Sequence, residues 1–169
     1  MTTFDLRSVK TRSGDQYRTG LDVELESLVL GGQEYRPEPD PTPAELTVTR
    51  ASSGTVFELD FRVALRGPCF RCLADAELSL SLHVREYQAA KPGADEELRT
   101  EYLVDDKLDL SAWARDAVAL ALPDKILCRP DCAGLCPVCG KDLNIEPHEH
   151  VEEDSDPRWA ALQALRDER

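Results

Sequence analysis

Six cysteines and two histidines are the residues of this sequence whose types and spacing best suit chemistry. The first pair is the C-x2-C of Cys69-Phe-Arg-Cys72. A second run reads Cys128-Arg-Pro-Asp-Cys132-Ala-Gly-Leu-Cys136-Pro-Val-Cys139-Gly, and His148 and His150 follow it. Thiolates and imidazoles at such short spacings are typical ligands of zinc. The spacing therefore predicts a metal-binding protein.

Two zinc sites use these donors completely, because a structural zinc takes four ligands and six cysteines alone would leave two over. The preferred grouping joins Cys69 and Cys72 with Cys128 and Cys132, and it joins Cys136 and Cys139 with His148 and His150. A rival grouping places the four later cysteines in one site and leaves the first pair with the histidines or vacant. At least one zinc is expected under either grouping.

Other uses of these residues stay open. Some cysteines could be small buried hydrophobic residues, since free cysteine packs well. The C-x2-C pairs could also be redox thiols, although no thioredoxin-like βαβ pattern surrounds them. The two histidines could be solvated residues of an acidic tail.

The elements that must position these residues suggest an α+β fold. Period-two alternation over residues 46–49, 56–65 and 76–84 predicts a small antiparallel meander with breaks at Ser53-Gly54 and Gly67-Pro68. This places the first C-x2-C at a hairpin tip. Asp109-Leu-Ser111 then begins a central helix that presents one apolar face and ends before Pro123. That predicted face consists of Trp113, Ala117, Leu120 and Ala121.

The chain is expected to have two parts. Residues 1–123 form a mainly β domain that ends with the helix, and residues 124–169 form a zinc module rich in Cys and His and packed on the first part. The proline-rich stretch 37–43 suggests an extended linker, because proline removes a backbone donor and fixes φ. The acidic tail is expected to carry a final helix over residues 156–165.

Charge limits the choice of partner. The formal net charge is −13, from 20 Lys and Arg against 33 Asp and Glu. Such a surface repels phosphates over most of its area and favours a basic protein partner over bare RNA or an anionic membrane. No secretory signal or membrane-spanning run is evident, so we expect a cytoplasmic protein, in which paired cysteines bind metal rather than form disulfides.

From Cys128 to Asn144 the sequence resembles the YceD family, and the Gly-Leu-Cys-Pro-x-Cys-Gly stretch carries most of the likeness. Cys69-Phe-Arg-Cys72 and Asp156-Pro-Arg-Trp-Ala-Ala-Leu add to it, so the resemblance covers about residues 20 to 166. Members of that family are described as large ribosomal RNA subunit accumulation proteins. The resemblance implies a bacterial role in accumulation of 23S ribosomal RNA and in ribosome assembly, with large-subunit components as partners.

Catalysis is not expected, because eight donors for two metals leave no open coordination position and no nucleophile or phosphate-loop motif is present. We expect a non-enzymatic assembly factor that binds a basic ribosomal protein or an assembly intermediate. One alternative is a zinc knuckle that contacts RNA, with Phe70 available to stack. Its basic residues would be Arg66, Arg71, Lys125, Arg129 and Lys141. A zinc-linked redox sensor is the other alternative.

Overall fold

The computed structural model describes residues 1–10, 12–90 and 98–150. Antiparallel strands dominate them, together with one α-helix in the described ranges, so the fold class is α+β. The chain divides into two compact units, Met1–Cys132 and Ala133–Arg169. This boundary lies later than the one after residue 123 that the sequence suggests. Cys128 and Cys132 belong to the first unit, because they lie beside its own cysteine pair.

Within its described residues, the first unit contains nine strands, one short 3-10 helix and one α-helix. In chain order they are β1 (Thr3–Asp5), the 3-10 helix (Leu6–Ser8), β2 (Gln16–Val23), β3 (Leu28–Leu30), β4 (Gln33–Glu38), β5 (Thr42–Arg50), β6 (Gly54–Pro68), β7 (Asp75–Ala89), β8 (Leu103–Val104), β9 (Lys107–Asp109) and α1 (Leu110–Ala121). Strands β1, β9 and β8 form a small antiparallel sheet, and the other six form a larger one.

Strand β6 is the centre of the larger sheet. Strands β5 and β4 pair in turn with one of its edges, and β7 pairs along the other over its whole length. Alternate residues of β6 are almost completely buried, as period-two alternation requires. These core residues are Phe57, Leu59, Phe61, Val63 and Leu65. The meander predicted for the three consecutive strands β5, β6 and β7 is confirmed.

Gly67-Pro68, expected as a break, lies inside β6 instead. A Cβ at Gly67 would lie 2.6 Å from the Glu34 carbonyl oxygen and 2.6 Å from the Tyr35 ring. Glycine is therefore used here for the close approach of β4 and not for a turn. The strand continues to the residue before Cys69, so the hairpin tip is confined to the cysteine loop.

The proline-rich stretch is not a simple linker. Pro37 lies in β4 opposite Leu65, and Pro43 lies in β5 opposite Asp22. Pro43 precedes the segment of β5 that pairs with β6, so at this position the strand pairs only with β2. Proline is accepted there because one edge of the strand needs no donor.

Helix α1 begins where the sequence predicts. The Asp109 side chain accepts a hydrogen bond from the Ala112 backbone N–H, as an N-cap does. The predicted apolar face is partly wrong, because Leu120 is 89% exposed. The buried face is displaced towards Leu110, Ala114 and Val118, which follow the helical spacing from the buried Trp113 and Ala117.

Within the described residues, no helix combines the length and apolar character that crossing a bilayer requires. The predicted helix over 156–165 lies outside the described residues.

Candidate metal centres

The loop between β6 and β7 carries the first cysteine pair. The Cys69 backbone N–H donates to the Ala74 carbonyl at 2.7 Å, and the Leu73 N–H donates to the Cys69 carbonyl at 3.0 Å. The Phe70 N–H donates to the Ile126 carbonyl at 2.8 Å, which ties the loop to the segment after α1. These bonds bring Cys69 and Cys72 to the same place as the cysteines that follow Ile126.

Four sulfur atoms converge there, from Cys69, Cys72, Cys128 and Cys132, and they all lie within 4.8 Å of one another. We call this group the hairpin tetrad. The Cys69 and Cys132 sulfurs are 3.8 Å apart, and those of Cys72 and Cys128 are 3.6 Å apart. Four thiolates about 2.3 Å from one tetrahedral zinc would be separated by about 3.8 Å. The sulfur positions therefore fit zinc, and they are too distant for a disulfide.

The thiols of this tetrad do not share one pKa. Burial raises the pKa of Cys69, but the backbone N–H groups of Cys72, Cys128 and Arg71 outweigh it and lower the pKa to about 6. The neighbouring Cys72 thiol and then burial raise the pKa of Cys128 to about 12. Negative charge on one sulfur thus opposes ionisation of the next. A dication at the centre would remove this conflict.

The support of the hairpin tetrad includes Arg71, which lies close to it in the sequence, and Tyr35, which the sequence does not indicate. The hydroxyl of Tyr35, a residue only 1% exposed, donates to the Pro68 carbonyl at 2.8 Å, immediately before Cys69. Burial, and then the neighbouring Cys69 thiolate, raise the Tyr35 pKa. The Arg71 guanidinium donates to the Cys132 carbonyl at 2.6 Å. Only the apolar alternation around Tyr35 could have indicated a buried tyrosine.

The second unit contains the other group of donors in one short segment. One ligand atom from each of Cys136, Cys139, His148 and His150 lies within 4.8 Å of the others. We call this group the local tetrad. The Cys139 sulfur is 3.1 Å from Nε2 of His148, and the two imidazole rings are 5.0 Å apart at their centroids. Cys136 is buried, whereas Cys139 and His150 are exposed.

His148 is oriented for ligation by its other ring nitrogen. Its Nδ1–H donates to the Glu146 carbonyl at 2.7 Å, which leaves Nε2 facing Cys139. This backbone contact and then the Cys136 thiolate raise the His148 pKa. Fixing the tautomer through the second nitrogen is the usual arrangement around metal-bound histidine. Lys141 stabilises the same segment through an ion pair with Glu146 at 2.9 Å.

The local loop repeats the hydrogen bonds of the hairpin loop. The Cys136 N–H donates to the Lys141 carbonyl at 2.8 Å, and the Gly140 N–H donates to the Cys136 carbonyl at 2.8 Å. The backbone N–H of Cys139 is the largest cause lowering the Cys136 pKa to about 6, and burial opposes it. Both C-x2-C loops thus present backbone donors to their first sulfur.

The eight residues named from the sequence are therefore brought together in two groups of four. The rival grouping, which places the four later cysteines in one site, is not the arrangement found. All six cysteines are free thiols.

The basic residues proposed for RNA contact are engaged with other groups. Arg66 forms ion pairs with Glu38 and Glu77 at 3.0 and 2.9 Å. Arg129 pairs with Asp131 at 3.4 Å. The Lys125 ammonium lies 5.1 Å from the centroid of the Phe70 ring, which is 41% exposed. Arg66 and Arg129 therefore have carboxylate partners, whereas Arg71 is bound to the neutral Cys132 carbonyl and keeps its charge.

A known protein family matches the part of the sequence that contains these cysteine loops. Residues 57–166, more than half of the chain, match the family described as large ribosomal RNA subunit accumulation protein YceD. The chain belongs to the YceD family. The matched YceD segment contains both C-x2-C loops and both histidines of the local tetrad.

Individual relatives support the same placement. The chain is 38% identical over 122 residues to the uncharacterized protein Rv2926c of Mycobacterium tuberculosis strain H37Rv. The aligned residues cover 70% of this chain and 58% of that protein. It is also 29% identical over 100 residues to the uncharacterized protein YlbN of Bacillus subtilis strain 168, and these residues cover 58% of each chain. This chain therefore spans less than two thirds of the length of these relatives. No solved structure matches the chain.

Proposed function

We propose that each tetrad holds one Zn²⁺ as a structural ion. The observation that carries this proposal is that each group offers four converging donors, the number that closes a tetrahedral site. A closed site leaves no position for water or substrate, so the metal would stabilise loops and not perform catalysis. We accordingly propose a non-enzymatic protein.

The wider role that we propose is support of large-subunit ribosomal RNA accumulation during ribosome assembly in the bacterial cytoplasm. This proposal rests on the description of the YceD family, to which residues 57–166 belong. In this role zinc holds the scaffold, and the protein acts through the surface that the scaffold displays.

The partner that we propose is a basic ribosomal protein or an assembly intermediate that contains one. The net charge of −13 attracts such a partner and repels naked RNA. The ion pairs of Arg66 and Arg129 with carboxylates add to this preference.

Direct RNA binding through the hairpin loop is the second candidate. It is favoured by one observation, the exposed Phe70 ring with the Lys125 ammonium beside it. Such a ring can stack on an unpaired base, and the adjacent cation can contact phosphate.

The two candidates separate in a binding experiment with the zinc-loaded chain. The probes are purified basic large-subunit ribosomal proteins and protein-free 23S rRNA. We expect binding to a ribosomal protein that survives the double change Lys125→Ala with Phe70→Ala. RNA binding that falls steeply with salt and disappears in this double variant would instead establish the second candidate. Arg71 is left unchanged because its loss would disturb Cys132.

A further inference from the structure

Strand β7 has one edge without a partner strand among the described residues. It runs over fifteen residues, Asp75–Ala89, and pairs with β6 alone. At another border of the sheet, the N-terminal segment contacts the C-terminal end of β2. There the Thr2 hydroxyl donates to the Asp22 carbonyl at 3.3 Å and accepts from the Glu24 N–H at 3.0 Å. A long open edge is a template for pairing with another strand.

The hydrophobic core is also incompletely covered along β7. Leu78, Leu80 and Leu82 lie opposite Leu65, Val63 and Phe61 of β6. The three β6 residues are 1%, 3% and 5% exposed, whereas the three leucines are only half-buried. The apolar face of the sheet therefore reaches its unpaired border without being closed.

The sequence of β7 is complementary to itself when reversed. With Leu80 placed opposite Leu80 of a second antiparallel copy, Asp75 lies opposite Arg85 and Glu77 lies opposite His83. On the other face, Leu78 lies opposite Leu82 and Ala76 opposite Val84. Each residue lies opposite one that is an even number of positions away. Residues whose N–H and C=O groups point out of the free edge of β7 are therefore paired with each other. This register satisfies backbone, charge and apolar contacts together.

We propose that two copies of this protein associate through β7, antiparallel and centred on Leu80, to form one continuous sheet. The existing cross-strand ion pairs extend into this interface. Within one copy, Glu77 is paired with Arg66 and His83 with Asp60. Pairing two copies therefore creates a row in the order Arg66, Glu77, His83, Asp60, with the last two residues from the second copy. Opposite charges directly across strands stabilise such pairing.

A second row uses the ion pair between Arg85 and Glu58. In the pair of copies, Arg85 lies between Glu58 of its own chain and Asp75 of the other. Because the axis repeats both rows, two Asp75–Arg85 charge pairs and two Glu77–His83 contacts flank the central leucines, and His83 adds charge only where it is protonated. These local attractions and the apolar burial offset the repulsion between two chains that each carry a net charge of −13.

Sedimentation velocity of the zinc-loaded chain over about 1 to about 100 μM spans the affinities that such an interface would give. We expect a concentration-dependent shift from 18.8 kDa to twice that mass. Asp75→Arg and Arg85→Asp should each weaken association about tenfold or more, because each opposes like charges at two symmetric positions. Mixing these two variants should restore a heterodimer, since every position 75 then faces an opposite charge at position 85.

The matched control is Arg18→Asp. Arg18 lies on β2 and pairs across strands with Glu45 at 3.5 Å, as Arg85 does with Glu58. The Arg18→Asp variant should associate as the wild type does. Asp75→Arg tests the interface apart from folding, because Asp75 is exposed at the strand end. A wild-type chain that stays at 18.8 kDa throughout, or a dimer that both charge variants leave intact, would overturn the proposal.

Discussion

Leu73 and Gly140 occupy the same position in two separate loops, each directly after the second cysteine of a C-x2-C pair. Both have left-handed backbone, with φ of 63° and 73°. Each donates its N–H to the carbonyl of the first cysteine, at 3.0 and 2.8 Å. The same turn is therefore made once with a leucine and once with a glycine. It is the turn that directs backbone N–H groups to the first sulfur.

This equivalence predicts opposite effects of exchanging the two residue types. Gly140→Leu should lower the free energy of unfolding by about 1–2 kcal/mol, the cost of left-handed backbone for a residue with a Cβ. Nothing lies within 4 Å of a Cβ at Gly140, so this change reports backbone strain without a clash. Denaturant unfolding of the zinc-loaded protein measures it.

The reverse change, Leu73→Gly, should leave stability unchanged or raise it by less than about 1 kcal/mol. Relief of strain is partly offset by the larger unfolded-state entropy of glycine, about 0.5–1 kcal/mol. Leu73 is 54% exposed, so little packing is lost. A large loss of stability from Leu73→Gly would show that the leucine side chain, and not the turn, is required.

Tyr35→Phe should destabilise the protein by about 1–2 kcal/mol, because the part-buried Pro68 carbonyl then lacks this donor. The change should also speed amide exchange in the hairpin loop that begins at Cys69. Tyr87→Phe is the matched control, since its hydroxyl makes a hydrogen bond of the same length, 2.8 Å, to the exposed Ser53 carbonyl. Equal effects of the two changes would contradict the supporting role of Tyr35.

Metal release to a chromogenic chelator should be biphasic, and the local tetrad should empty first. The local tetrad has two exposed donors, Cys139 and His150, whereas the hairpin tetrad has one, Cys128, and its Cys69 and Cys132 are 0% exposed. The fast phase should disappear in the double variant His148→Ala with His150→Ala. A single phase in the wild type, or a fast phase that survives in the variant, would show that exposure does not set the order.

The rate constant of the fast phase should also rise as the pH falls. The Glu146 carbonyl and the Cys136 thiolate raise the His148 pKa, so the metal-free imidazole gains its proton at a higher pH than an ordinary histidine does. A protonated imidazole cannot ligate, so zinc affinity of the local tetrad falls as pH drops through that raised pKa. Release rates measured across this range check the sign, and a fast phase that slows on acidification would contradict it.

Sequence spacing was enough to propose the ligand groups, because a four-coordinate metal requires donors in fours and the chain offers eight. The alternation of β5, β6 and β7 was enough to place Cys69 and Cys72 at a hairpin tip. What spacing could not give is long-range contact. The neighbours of Tyr35 and Arg71 depend on tertiary packing.

The errors have a similar origin. Leu120 fits the spacing of an apolar helix face, yet tertiary packing displaces the buried face of α1 away from it. Gly67 has the composition of a turn, but the sheet uses it for the approach of Tyr35. A glycine or a leucine carries no local signal that separates these uses.

Two separate structural zinc sites are the feature on which the proposed role most depends, and elemental analysis of the native protein tests them most directly. The wild type should contain two metals per chain. The double variant His148→Ala with His150→Ala should retain one, and Cys69→Ser with Cys72→Ser should also lose one while the local tetrad stays filled. A wild type with one metal or none, or a histidine variant that keeps both, would contradict two independent four-ligand sites.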